Sequence, residues 1–351
     1  MFLAMESSKD WFSRYKFCQP LGQGGMGTIY LAEDRLNNNS PCVIKQLTNR
    51  YANPQEHQEA VRLFKREAAL LRGLNHPSVV RVFDSYTTED GRYFLVMDYV
   101  QGKNLEIMLR TGGPFKSEHV AWIAIQCCEV LEYLHGQDPP VIYRDMKPSN
   151  LMLTPDGQIV LIDFGIARNF MPKEAATRVI SAGYSPPEQY SGKPETRSDL
   201  YSLGQTMFQL LTGQRPKALS SSAPLLVTPY VNERLDGLVR KLTAQGINDR
   251  PPSAQAVRLE LYQIYKELLP EFQIPTEEKH MINLDAADMT EEQTTKLLEE
   301  EKNTVKSKLA QTAEEVRKSM ALRTEEQVSK ASEKGKSIWL TIKHWFEILT
   351  T

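Results

Sequence analysis

The apolar positions of this chain change rhythm along its length. Between residues of about 15 and 50 they come in short runs that suit strands. Thr28-Ile-Tyr-Leu31 follows a group of glycines, and Cys42-Val-Ile-Lys45 is a second such run. From residue 56 to 73 the spacing turns helical, with Val61, Phe64, Ala68 and Leu71 three or four apart, and Asn75-His-Pro77 stops it. Tyr93-Phe-Leu-Val-Met97 reads as a buried strand that leads into Asp98-Tyr-Val-Gln-Gly102, a hinge. Helical spacing returns between His119 and His135 through Val120, Ile123, Ile125 and Leu131, then over residues 198 to 213 and 254 to 269. Strands first and helices later predict an α+β fold of two lobes. The β-rich lobe is expected at 15–97, the hinge at 98–102 and the helical lobe at 103–268.

The pattern changes after Pro270. Residues 269–289 lack a core rhythm and read as a linker. Residues 290–351 read as a charged helical tail. Within it Leu298, Leu309, Met320 and Ala331 recur at eleven-residue intervals, as do Val305 and Val316, though Gln327 breaks the valine row. That period, 3.67 residues per turn, suits a long and nearly straight helix. At the end, Ile338, Ile342, Trp345 and Leu349 share one helical face, which Trp339 and Phe346 widen. Basic residues precede it. The plainest reading of such a helix is that it docks on the two lobes or on a second copy of itself; the alternatives are a helix lying on a membrane surface and an unordered segment.

Composition narrows the class. The 351 residues are 41% hydrophobic and 25% charged, as in an ordinary soluble protein. A net charge of −2 gives no general field for nucleic acid, and none is expected as a partner. Cys18, Cys42, Cys127 and Cys128 make no C-x-x-C pair and read as reduced, mostly buried thiols. The apolar start, Met1 to Met5, is too short for a signal peptide, and no apolar run reaches the roughly 18 residues that span a bilayer. The expected location is cytoplasmic, at the membrane periphery if the tail binds lipid.

Chemistry concentrates in four places. Leu21-Gly-Gln-Gly-Gly-Met-Gly27 carries Gly22, Gly24 and Gly27 at G-x-G-x-x-G spacing, which lets backbone amides approach phosphate oxygens. Alone this is weak: a dinucleotide-binding turn uses the same triplet, and a bare glycine hairpin needs no ligand. Here a strand follows the glycines, where a dinucleotide site has a helix. Lys45 ends the next apolar run, and Glu67 lies on the helix after it, placed to hold a phosphate-binding lysine. An isolated Lys or Glu would more simply be a solvated charge. Tyr143-Arg-Asp-Met-Lys-Pro-Ser-Asn150 then supplies Asp145 as a base, Lys147 as a cation and Asn150 as a metal ligand. Asp163-Phe-Gly165 adds a second metal ligand.

Over residues 15–268 these motifs resemble the serine/threonine protein kinase family, and closely its bacterial Hanks-type members. Leu21 to Tyr30 and Ser185-Pro-Pro-Glu-Gln189 look like the cyanobacterial branch. The resemblance implies ATP and Mg2+ as cofactors and protein substrates with Ser or Thr acceptors. It implies that Asp145 orients and deprotonates the hydroxyl, Lys147 neutralises the transferring phosphoryl, and Asn150 and Asp163 hold magnesium. Met97 resembles the gatekeeper, and Asp98 to Val100 the segment that binds adenine through its backbone. Leu21, Ile29, Val43 and Met152 would line the adenine site. Leu71, Val82, Tyr143 and Phe164 resemble a spine of stacked side chains, which is also ordinary core packing. Glu188 would pair with Arg250. Asp199 would cap the catalytic-loop backbone, where taken alone it reads as a helix N-cap.

The chain departs from the commonest family pattern in four places. Tyr143 replaces His, Val43 replaces Ala, Pro186-Pro-Glu188 replaces Ala-Pro-Glu, and Ile180-Ser181 replaces Gly-Thr. Ser181 keeps a hydroxyl for acceptor selection. Arg144 before the catalytic Asp145 implies control by phosphorylation of the following loop, with Thr177 as the candidate. A kinase-fold scaffold would have lost Lys45, Asp145 or Asp163. A small-molecule phosphotransferase would lack the segment from Ser181 to Glu188.

Overall fold

The computed structural model describes residues 11–24, 27–47, 54–88, 92–164 and 183–269. Thr177 and Ser181, the linker from Pro270 onward and the tail lie outside the described residues.

After a short helix α1 (Trp11–Arg14), the first lobe is an antiparallel sheet of β1 (Tyr15–Gly24), β2 (Gly27–Asp34), β3 (Ser40–Leu47), β4 (Val82–Thr87) and β5 (Tyr93–Asp98). Its order is β1-β2-β3-β5-β4. The two-residue period of the strands divides its faces. Tyr15, Ala32, Cys42, Ile44, Phe94 and Val96 pack together on one face. On the other face the register sets Ile29 opposite Lys45, Val43 opposite Met97, and Lys45 opposite Leu95. So one alternation makes the core of the lobe and also gathers Ile29, Val43, Lys45 and Met97 on the face left for a site. Helix α2 (Pro54–Gly73) packs on that side, where the ring of Phe64 lies 4.9 Å from Tyr93.

The second lobe starts with β6 (Lys103–Asn104), α3 (Leu105–Gly112) and α4 (Ser117–His135), followed by β7 (Leu151–Leu153) and β8 (Ile159–Leu161). Next come α5 (Pro187–Tyr190), α6 (Thr196–Thr212), α7 (Glu233–Leu242) and α8 (Ala254–Leu268). Helix α6 is buried from Ser198 to Leu211, so it is the axis around which the lobe packs. A capping box between Glu195 and Ser198 starts it, and Gly213 in the left-handed region (φ 73°) ends it. Helix α8 lies on α4, tied by Arg258 to Glu132 at 2.6 and 3.1 Å. The two lobes meet where Val80 donates to the carbonyl of Leu161 at 2.9 Å and Leu161 donates to that of Ser78 at 2.9 Å.

The four helices expected between residues 56 and 269 are present with ends shifted by up to two residues, as fraying ends commonly are, while the helical tail expected at 290–351 lies outside the described residues. Strand β4 and helices α3 and α7 were not among the expectations. In α7 the signal exists, since Leu235, Leu238, Val239 and Leu242 stand at helical spacing and are buried. Cys42, Cys127 and Cys128 are buried and Cys18 is exposed. Among the described residues no helix is long and apolar enough to cross a membrane.

Candidate active site

The glycine-rich segment is a hairpin in which Gly22 faces Ile29 and Gly24 faces Gly27. Gly27 is obligatory: its φ is 139°, and a Cβ there would sit 1.8 Å from the carbonyl oxygen of Gln46. Gly22 differs, because a Cβ there would meet nothing within 4 Å among the described residues. The protein itself therefore gives no steric reason for glycine at 22, and space over the hairpin stays open for a ligand. Leu21 stands 47% exposed at the strand edge. Met97 is buried, Asp98 ends β5 and salt-bridges Arg81 at 3.2 Å, and Val100 is half-buried in the segment between the lobes. Met152 lies on β7, half-buried.

Lys45 is 6% exposed, and its Nζ donates to Asp163 Oδ1 at 2.6 Å. The sequence suggested Glu67 as its partner. Glu67 does lie on α2, but its side chain is not among those described. The pair with Asp163 spans 118 positions of sequence, and no spacing rule could have indicated it.

Behind it stands the catalytic loop. Asp145 is 1% exposed; its Oδ2 accepts from Lys147 Nζ at 2.9 Å and from Asn150 Nδ2 at 2.8 Å. Asn150 Nδ2 also donates to the Asp145 carbonyl at 2.9 Å. Both amide hydrogens are thus spent on Asp145, which leaves Asn150 Oδ1 as the oxygen for a cation. Tyr143 and Phe164 meet edge to face at 5.1 Å, and with Leu71 and Val82 all four proposed spine residues are buried. Burial pushes the Tyr143 hydroxyl well above its ordinary value.

Asp199 settles its own alternative. It is fully buried in the first turn of α6, where Glu195 is the cap. Its carboxylate accepts from the backbone N–H of Tyr143 at 2.9 Å and of Arg144 at 2.8 Å, and His135 Nε2 lies 2.9 Å away. The N-cap reading is therefore wrong, because a capping box already satisfies that helix end. Thr206, two turns further along the same face of α6, donates to the Met146 carbonyl at 3.1 Å. His135 and Thr206 were not among the expected site residues, because their roles depend on tertiary approach.

Glu188 and Arg250 form two bonds of 2.7 and 3.1 Å. Arg250 is sealed from solvent, also donates to the carbonyls of Ala244 and Arg197, and lies over the Tyr201 ring. Burial alone would raise the Glu188 carboxyl. The bonds from Arg250 and from Ser198 at 2.7 Å outweigh it and hold the carboxyl below its ordinary value.

Together the arrangement offers an open glycine hairpin, a buried lysine on an aspartate, an amide oxygen beside it, and a second aspartate held between two donors. These are the parts needed to hold polyphosphate and a hard cation next to a base.

Comparison with known proteins agrees. Residues 15–270 match the family model described as the protein kinase domain. Serine/threonine-protein kinase B of Synechocystis sp. is 34% identical over 263 residues, 70% of this chain and 45% of that protein. Serine/threonine-protein kinase PknA of Nostoc sp. is 38% identical over 220 residues, 60% of this chain and 39% of that protein. The matched region thus spans less than half the length of either relative. The crystal structure of the PknI kinase domain of Mycobacterium tuberculosis is similar, with a TM-score of 0.58 and 26% identity over 74% of this chain and 99% of that one. This chain belongs to the protein kinase family, in its bacterial serine/threonine branch.

Proposed function

We propose that the chain is an active serine/threonine protein kinase that transfers the γ-phosphoryl group of ATP to protein hydroxyls and to itself. The observation that carries this reading is the intact charge set at one place. Asp145 accepts from Lys147 and Asn150, and Lys45 pairs with Asp163, with no acid, base or cation of the reaction replaced.

The glycine hairpin of Gly22, Gly24 and Gly27 covers the phosphates, and Lys45 places a positive charge under them. Leu21, Ile29, Val43, Met97 and Met152 enclose the adenine, which the backbone of Asp98 to Val100 pairs. Asn150 Oδ1 and the Asp163 carboxylate are hard oxygens, the donor type that magnesium takes when phosphates and water complete its shell. When bound, magnesium neutralises the charge that develops on the phosphates. Asp145 orients the acceptor hydroxyl and takes its proton. Lys147, already 2.9 Å from Asp145, holds positive charge beside the transferring group. Lys147 and Ser181 favour aliphatic hydroxyls as acceptors.

Regulation and location extend the same reading. Phosphate on Thr177 would make one to about three charge-assisted bonds with Arg144 and nearby cations. Unmodified Thr177 in active enzyme, with Thr177→Ala fully active, would count against this. The kinase acts in the cytoplasm, and the apolar face of residues 338–349 carries association with a membrane surface or a second copy. Liposome pelleting and gel filtration of Trp339→Ala/Trp345→Ala against the parent protein separate the two, and no change in either defeats both. The test of the activity itself is incubation with labelled ATP and magnesium followed by phosphosite mapping. Label on Ser and Thr is expected, and absence of label on the chain and on general protein substrates would overturn it.

A further inference from the structure

Arg144 sits at φ 66°, a left-handed conformation that is strained for a non-glycine residue. It persists only if its peptide groups are held on both sides. Asp199 holds the N–H side. The carbonyl side is met by Gln189, whose Nε2 donates to the Arg144 oxygen at 3.1 Å and to Ser185 Oγ at 3.0 Å. The amide orientation follows from chemistry, because turned the other way Gln189 would set an oxygen against a carbonyl oxygen. Gln189 lies on α5, the short helix that also carries Glu188, while Arg144 immediately precedes Asp145.

We infer that Gln189 is a positioning residue for the catalytic base: it ties the segment from Ser185 to Gln189 to the backbone immediately before Asp145. The inference rests on the kinase reading above. On the two residues that flank Asp145, three backbone groups are then fixed by side chains, namely the Arg144 N–H by Asp199, the Arg144 carbonyl by Gln189 and the Met146 carbonyl by Thr206. Two of these supports come from α6, which is buried and fixed. The third comes from a segment that Glu188 and Arg250 anchor and that directly follows residues 165–182. Displacement of that segment would release the Arg144 carbonyl and let the peptide relax. The Asp145 carboxylate would then turn away from the acceptor hydroxyl. Gln189 thereby makes proper seating of the segment from Ser185 to Gln189 a condition for turnover, separately from ATP binding.

Gln189→Glu keeps shape and volume but removes both donors. The Ser185 hydroxyl can rotate and donate to the new carboxylate, so the loss falls on Arg144. Steady-state kinetics on the full chain should show kcat lower by about tenfold, with KM for ATP within about twofold of wild type. Gln189→Met, which removes the donor without adding repulsion, should fall between the two. Thermal unfolding should stay near wild type for both variants. Hydrogen exchange of the peptide over residues 143–147 should speed up in both, whatever the activity. Wild-type kcat together with unchanged exchange in Gln189→Glu would overturn the inference. So would a kcat loss explained wholly by lost folded protein, with Gln189→Met fully active. If the wild-type chain itself transfers no phosphate, the kinase reading fails, and the exchange result alone still decides whether Gln189 holds the Arg144 peptide.

Discussion

Asp199 accepts the backbone N–H of Arg144 at 2.8 Å and so holds in place a residue whose φ is 66°. The same carboxylate takes the N–H of Tyr143. A strained peptide beside Asp145 is thus supported by a buried acid more than fifty positions later in the chain. Asp199→Ala would leave two N–H groups without their acceptor. Unfolding in urea should show a loss of about 2–4 kcal/mol, and turnover should fall by about a hundredfold even where the protein remains folded. Asp199→Asn keeps one oxygen and should lose less of both. Equal stability and turnover in wild type and Asp199→Ala would contradict the role.

Glu188 gives a prediction with pH. Its carboxyl is held below its ordinary value of 4.5. The stabilisation it brings is therefore complete above that value, and it is lost as pH falls through the lower native pKa. Glu188→Gln leaves the sealed Arg250 without its carboxylate, and at pH 7 it should cost about 3–5 kcal/mol. The gap between wild type and variant should narrow as pH drops below 4.5. Urea unfolding at pH 7 and at acid pH measures it, and a gap that does not narrow would refute the assignment.

Lys45 and Asp163 meet at 2.6 Å in a mostly buried pair. Lys45→Met removes the cation from the phosphate site and should lower turnover by about 10²–10³ with the fold kept, as judged by circular dichroism. Asp163→Asn should in addition raise the magnesium concentration needed for half-maximal activity. Unchanged magnesium dependence in Asp163→Asn would remove Asp163 from the metal site.

The thiols form a graded set. Burial pushes Cys42 up to about 11 and Cys127 up to about 12, and it raises Cys128 as well; the Cys18 thiol is also raised, by partial desolvation and the nearby Glu33, but it alone of the four is exposed to reagent. Iodoacetamide at pH 8 should label Cys18 in the native protein and the other three only after unfolding. Mass spectrometry after brief labelling checks this, and early labelling of Cys127 would contradict the packing of α4.

The sequence carried the local part of this structure well. The short apolar runs of β3 and β5 and the three-four spacing in α2 and α4 are fixed by neighbours in the chain, so they could be read directly. The candidate site was legible where chemistry is compact, as in Tyr143 to Asn150. It was illegible where partners come from far away. Lys45 reaching Asp163, His135 beside Asp199 and Thr206 on the Met146 carbonyl depend on how α4, α6 and the sheet approach one another. Spacing carries no trace of that approach. Gln189 was visible as part of Ser-Pro-Pro-Glu-Gln189, but its role depends on the backbone twist at Arg144, which no residue type announces. For Asp199 the local rule and the family resemblance pointed different ways, and the resemblance was right. As an acid in the first turn it suggested a cap by local rules, while Glu195 and Ser198 had already filled that need.

The central claim is that Asp145 is the base of a phosphoryl transfer. Autophosphorylation and transfer to a general protein substrate should be measured for wild type and Asp145→Asn with labelled ATP and magnesium, alongside nucleotide binding by calorimetry. The account predicts a loss of about 10²–10⁴ in rate with ATP binding retained. Equal rates in the two proteins would contradict it.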